Sequence, residues 1–233
     1  MLAFILGCFL SLAGLRADVP GYAEPYKTIT VSAGESGVIA EVLVEEGAQV
    51  KKGQVLARLD NAQLEAELDI AKATTGLQET KLQRLEELSK TGRSNPDELE
   101  RARTDLKIRQ AEVRKIQAAI EARTMRSPVD GVVTEVKRDP SEAVSISNAH
   151  VLTVVQIDRL LVNLFLPPAK AATLKTGATV PLILDGKPVN GVIEFISPVT
   201  DAASGTVRVK FVLENKDGKL RSGGEARLGE EGK

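Results

Sequence analysis

Residues 37–56 read GVIAEVLVEEGAQVKKGQVL, and residues 131–152 read GVVTEVKRDPSEAVSISNAHVL. Gly37-Val-Ile-Ala-Glu-Val42 aligns with Gly131-Val-Val-Thr-Glu-Val136 at an offset of 94, and Val50 aligns with Val144 at the same offset. Two inserted residues then bring Val55-Leu56 against Val151-Leu152. Apolar and polar residues alternate in both halves between Gly-containing turns, the pattern of short half-buried strands in a small sandwich. The two halves, 36–60 and 125–156, are repeats of one another. Ser141 stands where the first half has Gly47, so the second copy of that turn is expected to be built differently.

The interval 61–124 between the halves has another composition. It holds 12 acidic and 12 basic residues, no aromatic residue, and Pro96 as its one proline. Leu99, Leu106, Val113 and Ile120 recur every seven residues, with Ala102 and Ile116 at the second seam position. In the first arm Leu64, Leu68, Ala71, Thr75, Leu82 and Leu85 form a weaker seam, broken by Gln78, as Arg109 and Arg123 break the second. Gly92 to Pro96 is the break between the arms, short enough to make them antiparallel. Asn95 is a candidate N-cap, with Pro96 at the first helical position and Asp97 and Glu98 at the positive end of the dipole. Arms of about 30 residues rise about 45 Å. Gly76 is the expected soft point of the first arm. An antiparallel hairpin returns the chain to its start, which allows two halves so far apart to pair.

After the second half, Leu160, Val162, Leu164 and Leu166 alternate with polar residues, as do Val207, Val209, Phe211 and Leu213. Asp185-Gly186 and Asp217-Gly218 supply turns, and Ala169 to Leu174 fits one short helix. A small antiparallel β-barrel over 157–229 follows, with strand residues of 18–35 joining it and 230–233 left as a tail. The fold class is α+β, mainly β: a sandwich split by an antiparallel coiled-coil α-hairpin and followed by a small barrel.

Composition removes several function classes. Lys and Arg number 31 against 32 Asp and Glu, so no bulk field attracts a polyanion, and 3% aromatic residues leave little to stack on bases. Nucleic acid is not an expected partner. One Cys (Cys8) and one His (His150) allow no internal disulfide and no zinc site of Cys/His type. His150 precedes an apolar strand and is read as an edge residue with no role in a triad. Residues 1–17 are expected to be a cleaved secretory signal, apolar to Leu15 but too short to span a bilayer. Ile5-Leu-Gly-Cys8 is similar to a lipoprotein cleavage box that would anchor Cys8, but with only seven residues before it an ordinary leader cysteine is the favoured reading.

The pattern at 37–56 resembles a lipoyl or biotinyl half-motif, and its splitting by a coiled-coil hairpin resembles the periplasmic adaptor, or membrane fusion, proteins of tripartite efflux systems. Ser127-Pro-Val-Asp-Gly-Val-Val133 is close to that family's opening of the second half, and 158–184, 191–215 and 217–224 resemble its barrel. The resemblance covers about residues 29–228. It implies a lipoyl-like sandwich used for packing. In carrier domains a Lys at the apex between the halves holds the cofactor; here the hairpin replaces that apex, so no cofactor, no metal and no bond chemistry are expected. The resemblance implies an inner-membrane transporter and an outer-membrane channel as partners, a homo-oligomeric ring (trimer or hexamer), and a periplasmic location with membrane association through those partners. In the resistance-nodulation-division (RND) branch the hairpin tip carries Arg, then Leu, then Ser; the matching residues are Arg84, Leu88 and Asn95, with Asn replacing Ser. They are the candidate duct-binding residues. The family's membrane-proximal domain is expected to be absent or reduced, which passes the transporter contact to the barrel. An ABC-type exporter adaptor is the alternative, and a coiled-coil scaffold without transport partner is a third reading.

Overall fold

The computed structural model describes residues 20–229. The expected signal peptide, the Cys8 anchor and the 230–233 tail lie outside the described residues. The chain divides into two compact units: one takes the chain up to Tyr26 and from Ile157 onward, the other is Lys27–Gln156.

The Lys27–Gln156 unit holds the two repeats. Its strands are the distal part of β1 (Gly21–Ser32), then β2 (Gly37–Val42), β3 (Gln49–Val50), β4 (Val55–Leu59), β5 (Thr124–Arg126), β6 (Gly131–Val136), β7 (Ala143–Val144) and the start of β8 (His150–Leu166). One layer is β5-β4-β2-β7, and in the other β6 pairs with both β3 and β8. The halves exchange strands. Gly37 in β2 lies opposite Val144 in β7, and Gly131 in β6 lies opposite Val50 in β3. Each half therefore completes the other's sheet. The aligned pairs Ile39 and Val133, Val50 and Val144, and Leu56 and Leu152 are all buried in one core. Gly131 is needed for close approach, since a Cβ there would lie 2.3 Å from the Val155 carbonyl oxygen.

The turn expected to differ is built alike in the two halves. Gly47 has φ 85° and Ser141 φ 73°, both left-handed. The Gly47 amide donates to the Val133 carbonyl at 2.8 Å, and the Ser141 amide donates to the Ile39 carbonyl at 2.7 Å, the same bond in each copy. The repeated packing imposes the conformation on a residue that does not favour it.

From the end of β4 the chain enters α1 (Ala62–Lys90), turns through 91–95 and returns in α2 (Pro96–Ala122) to β5. At 29 and 27 residues the arms reach about 40 Å. The expected seam residues are the less exposed ones of each arm, with Ala71, Thr75, Leu85 and Ala102 buried. The breaks have local reasons. Arg109 is exposed and pairs with Glu112 at 3.1 Å, while the neighbouring Gln110 is half-buried. Arg123 anchors the base, donating through Nε to Glu35 at 3.1 Å and through Nη1 to the Asp60 carbonyl at 2.8 Å. Gln78 sits in the seam with its Oε1 buried and without a hydrogen-bond partner among the described residues. Gly76 lies within a continuous helix.

In the other unit, β1, β12 (Glu225–Leu228), β9 (Thr179–Leu184), β10 (Lys187–Asp201), β11 (Thr206–Glu214) and β8 follow one another in hydrogen-bonded order, and β1 also pairs with β8, closing a barrel. The two alternating runs are neighbours: Val207, Val209, Phe211 and Leu213 lie opposite Leu166, Leu164, Val162 and Leu160, all eight buried. The short helix is α3 (Pro168–Ala171), one residue earlier than its expected start. Asn215 is buried and fully used, its Nδ2 donating to the Ile157 and Leu220 carbonyls at 2.8 and 2.9 Å and its Oδ1 accepting the Leu220 amide at 2.8 Å.

Candidate functional site

The hairpin tip is built by two helix caps set back to back. At the end of α1, the Arg93 amide donates to the Leu88 carbonyl at 2.9 Å and the Gly92 amide to the Ser89 carbonyl at 3.0 Å, with Gly92 at φ 70°. This is a Schellman motif, and Gly92 supplies the left-handed residue it requires. The Thr91 hydroxyl adds a further bond to the Leu88 carbonyl at 2.9 Å. Beyond it Asn95 is extended (φ −78°, ψ 125°), and its Oδ1 accepts the Asp97 amide at 2.9 Å, with Pro96 opening α2. Both orphan ends of the hairpin are thus satisfied locally, so the turn needs no partner to hold its shape.

On this tip Arg84 and Leu88 stand four residues apart on one side of α1, the spacing that brings side chains together on a helix surface. Arg84 is exposed and has no carboxylate at ion-pair distance among the described residues. Leu88 is 39% exposed and lies one position short of the seam. Asn95 spends its carbonyl oxygen on the cap, which leaves its amide group to offer outward. The three candidates therefore present a cation, an apolar side chain and an amide donor around a self-capped turn. Sequence spacing alone missed the exposed Ile70, Leu77 and Ile108 elsewhere on the arms; the available signal was the interval of seven between Ile70 and Leu77, off the seam.

At the other end of the hairpin, Arg126 Nε donates to Glu121 at 2.6 Å and Nη1 to the Gly53 carbonyl at 3.1 Å. The hydrogen bond from Arg126 holds the Glu121 carboxyl below its usual range. With Arg123 on Glu35 and the Asp60 carbonyl, these contacts tie the base of the arms to the sandwich strands.

Comparison with known proteins decides the family. Residues 28–155 match the model described as YknX, barrel-sandwich hybrid domain. The chain belongs to the membrane fusion, or periplasmic adaptor, family. Residues 161–231 match the model described as CusB-like, beta-barrel domain, so both units carry family domains. Nodulation protein NolF of Rhizobium meliloti (strain 1021) is 28% identical over 223 residues, covering 88% of this chain and 60% of that protein. The solvent efflux pump periplasmic linker SrpA of Pseudomonas putida is 27% identical over 226 residues, covering 90% of this chain and 59% of that protein. The chain thus spans about 60% of the length of these curated relatives. Among solved structures, a MacA-MexA chimera containing the Pseudomonas aeruginosa MexA alpha-hairpin domain superposes with TM-score 0.74 at 22% identity, covering 89% of this chain and 75% of that one. The membrane fusion protein Spr0693 of Streptococcus pneumoniae R6 gives TM-score 0.70 at 21% identity, covering 91% and 99%. The fold these adaptors share with the chain is a mostly β structure with a two-helix hairpin set between the sandwich parts.

Proposed function

We propose that this membrane fusion protein is the periplasmic adaptor of a tripartite efflux pump, bridging an inner-membrane transporter, of RND type, to an outer-membrane exit duct. Residues 61–124 are its arm, 36–60 with 125–156 its packing module, and 157–229 the barrel that faces the transporter. It catalyses no bond chemistry, works in the periplasm held to both membranes by its partners, and assembles as a ring of identical copies. The observation that carries this reading is the tip: a self-capped turn with an exposed Arg84, which has no ion-pair partner among the described residues, and an exposed Leu88 on one side of α1. Efflux linkers among the relatives support it.

In this reading Arg84 donates a charge-assisted hydrogen bond to a duct carbonyl or carboxylate, Leu88 fills an apolar groove beside it, and the Asn95 amide meets duct backbone. The test is Arg84→Asp. Folding stability changes by only about 0.5 kcal/mol, as for other exposed substitutions. Duct binding loses about 2 kcal/mol or more at each adaptor copy, because the charge contact is desolvated in the complex. Asn95→Ser is close to neutral for both, since Ser caps about as well as Asn. Site-directed cross-linking to the duct, read beside the unfolding midpoint, separates the two effects. An Arg84→Asp protein that is normally stable and cross-links as well as the parent overturns the tip assignment.

A further inference from the structure

Along β8, β11 and β10 the outward side chains of the barrel change in character. The ladder sets Arg159 opposite Glu214, Leu161 opposite Val212, Asn163 opposite Lys210 and Phe165 opposite Arg208. On the other edge of β11, Val192 lies opposite Val212 and Phe195 opposite Lys210. The residues alternating with these, such as Val162, Leu164, Val209 and Phe211, are buried, so the first set forms the outer side of the sheet. At the Arg159 and Glu214 end, where β8 enters this unit at Ile157, the charges are matched: Arg159 lies 3.9 Å from Asp158 and Glu214 3.3 Å from Lys216. Toward the β10–β11 turn they are not. Arg208 and Lys210 make no ion pair among the described residues, and each holds its charged group 6.0 Å from the centre of the Phe195 ring. Phe195 is 38% exposed, Phe165 43% and Val192 41%, and Val199, in the bulge between the Ile196–Val209 and Thr200–Val207 pairs, is 70% exposed. The nearby carboxylates are engaged elsewhere: Glu194 accepts from the Tyr26 hydroxyl at 2.9 Å, and Asp201 accepts from the Ala203 and Ser204 amides at 2.9 and 2.8 Å.

We infer that this face of the barrel binds the surface of an anionic phospholipid bilayer directly, with Arg208 and Lys210 at the headgroup phosphates and Phe165 and Phe195 entering the interface beside them. A cation that no carboxylate neutralises keeps its attraction for an anionic leaflet, and an apolar ring next to it gains by leaving water at the boundary between headgroups and acyl chains. The two kinds of side chain alternate here: Phe165 is across the ladder from Arg208, and Phe195 lies between Arg208 and Lys210. Size favours lipid over a protein partner. Three strands about 4.8 Å apart, over the length from Leu161 to Phe165, make a face of about 200 Å². That is about a quarter of what one side of a standard protein interface buries. A bilayer accepts a patch of any size, and weak holds of this kind add when several copies stand on one surface. The contact acts beside the hold that partners give the adaptor and requires neither the duct nor the transporter.

The experiment uses residues 18–233, which contain the whole described structure, and co-sedimentation with protein-free vesicles. The protein partitions onto vesicles of equimolar phosphatidylcholine and phosphatidylglycerol but not onto phosphatidylcholine alone, and added salt weakens the binding. Arg208→Glu/Lys210→Glu lowers the partition coefficient about tenfold or more. Phe165→Ser/Phe195→Ser lowers it severalfold, read beside the unfolding midpoint; the exposed charge pair keeps the test decisive if the phenylalanine variant is poorly folded. Lys72→Glu/Arg114→Glu, the same charge change on the hairpin, leaves binding as it was. A protein that ignores both kinds of vesicle, as one whose face meets only another protein would, overturns the proposal. So does equal loss from the hairpin pair, or full binding by a folded protein without its two phenylalanines.

Discussion

Ser141 has a side chain where its repeat partner Gly47 has none, yet both adopt the left-handed conformation and make the same backbone bond to equivalent carbonyls. A non-glycine residue there costs about 1–2 kcal/mol, while glycine loses somewhat more entropy on folding. Ser141→Gly is therefore expected to stabilise the protein by about 0.5–1 kcal/mol, measured as a shift in the urea midpoint at constant slope. A destabilised variant would mean that the Ser141 side chain holds the turn. Asn215 illustrates the opposite limit of reading. Its three hydrogen bonds close the 215–220 loop inside the barrel unit, but an Asn before Asp217-Gly218 looks in sequence like any turn residue. Arg123, which breaks the heptad, is likewise intelligible only once Glu35, 88 residues away in sequence, lies beside it.

For the elements, periodicity was sufficient. The seam positions read from spacing are all buried or half-buried in α1 and α2, and the cap residues sit where helix-end chemistry puts them. Gly76 is where local propensity and observed structure part. Helix α1 runs through it unbroken, and a Cβ placed there would touch nothing within 4 Å. The expected result of Gly76→Ala is a gain of about 1 kcal/mol from helix propensity alone, seen as a higher thermal midpoint with unchanged oligomeric state. Loss of efflux in that variant, with stability raised, would show that the arm has to yield at this point.

At the scale of the whole molecule, the hairpin is an insertion into a structure that closes without it. Arg58 in β4 lies opposite Thr124 in β5, and the Leu59 amide donates to the Arg123 carbonyl at 3.0 Å, so the chain enters and leaves the arms at neighbouring points. Deleting 63–122 and joining the ends with a short Gly-containing turn is expected to leave a cooperatively unfolding protein that no longer cross-links to the duct. Differential scanning calorimetry with circular dichroism checks the first part. An insoluble remainder would place the arms within the folding core.

The spacing of residues along the chain by itself determined that 37–56 and 131–152 are similar β segments, that a heptad hairpin separates them and that alternating strands follow, because side-chain periodicity is a local property of each element. Tertiary structure decided which strands pair. Nothing local told β2 to join β7 while β3 joins β6, or β1 to close the barrel on β8; those choices rest on burying Ile39, Val133, Leu56 and Leu152 in one core and Phe211 and its neighbours in another. The same holds for the faces of the hairpin. Ile70 and Leu77 come from one arm and Ile108 from the other, and only antiparallel packing puts all three on one side.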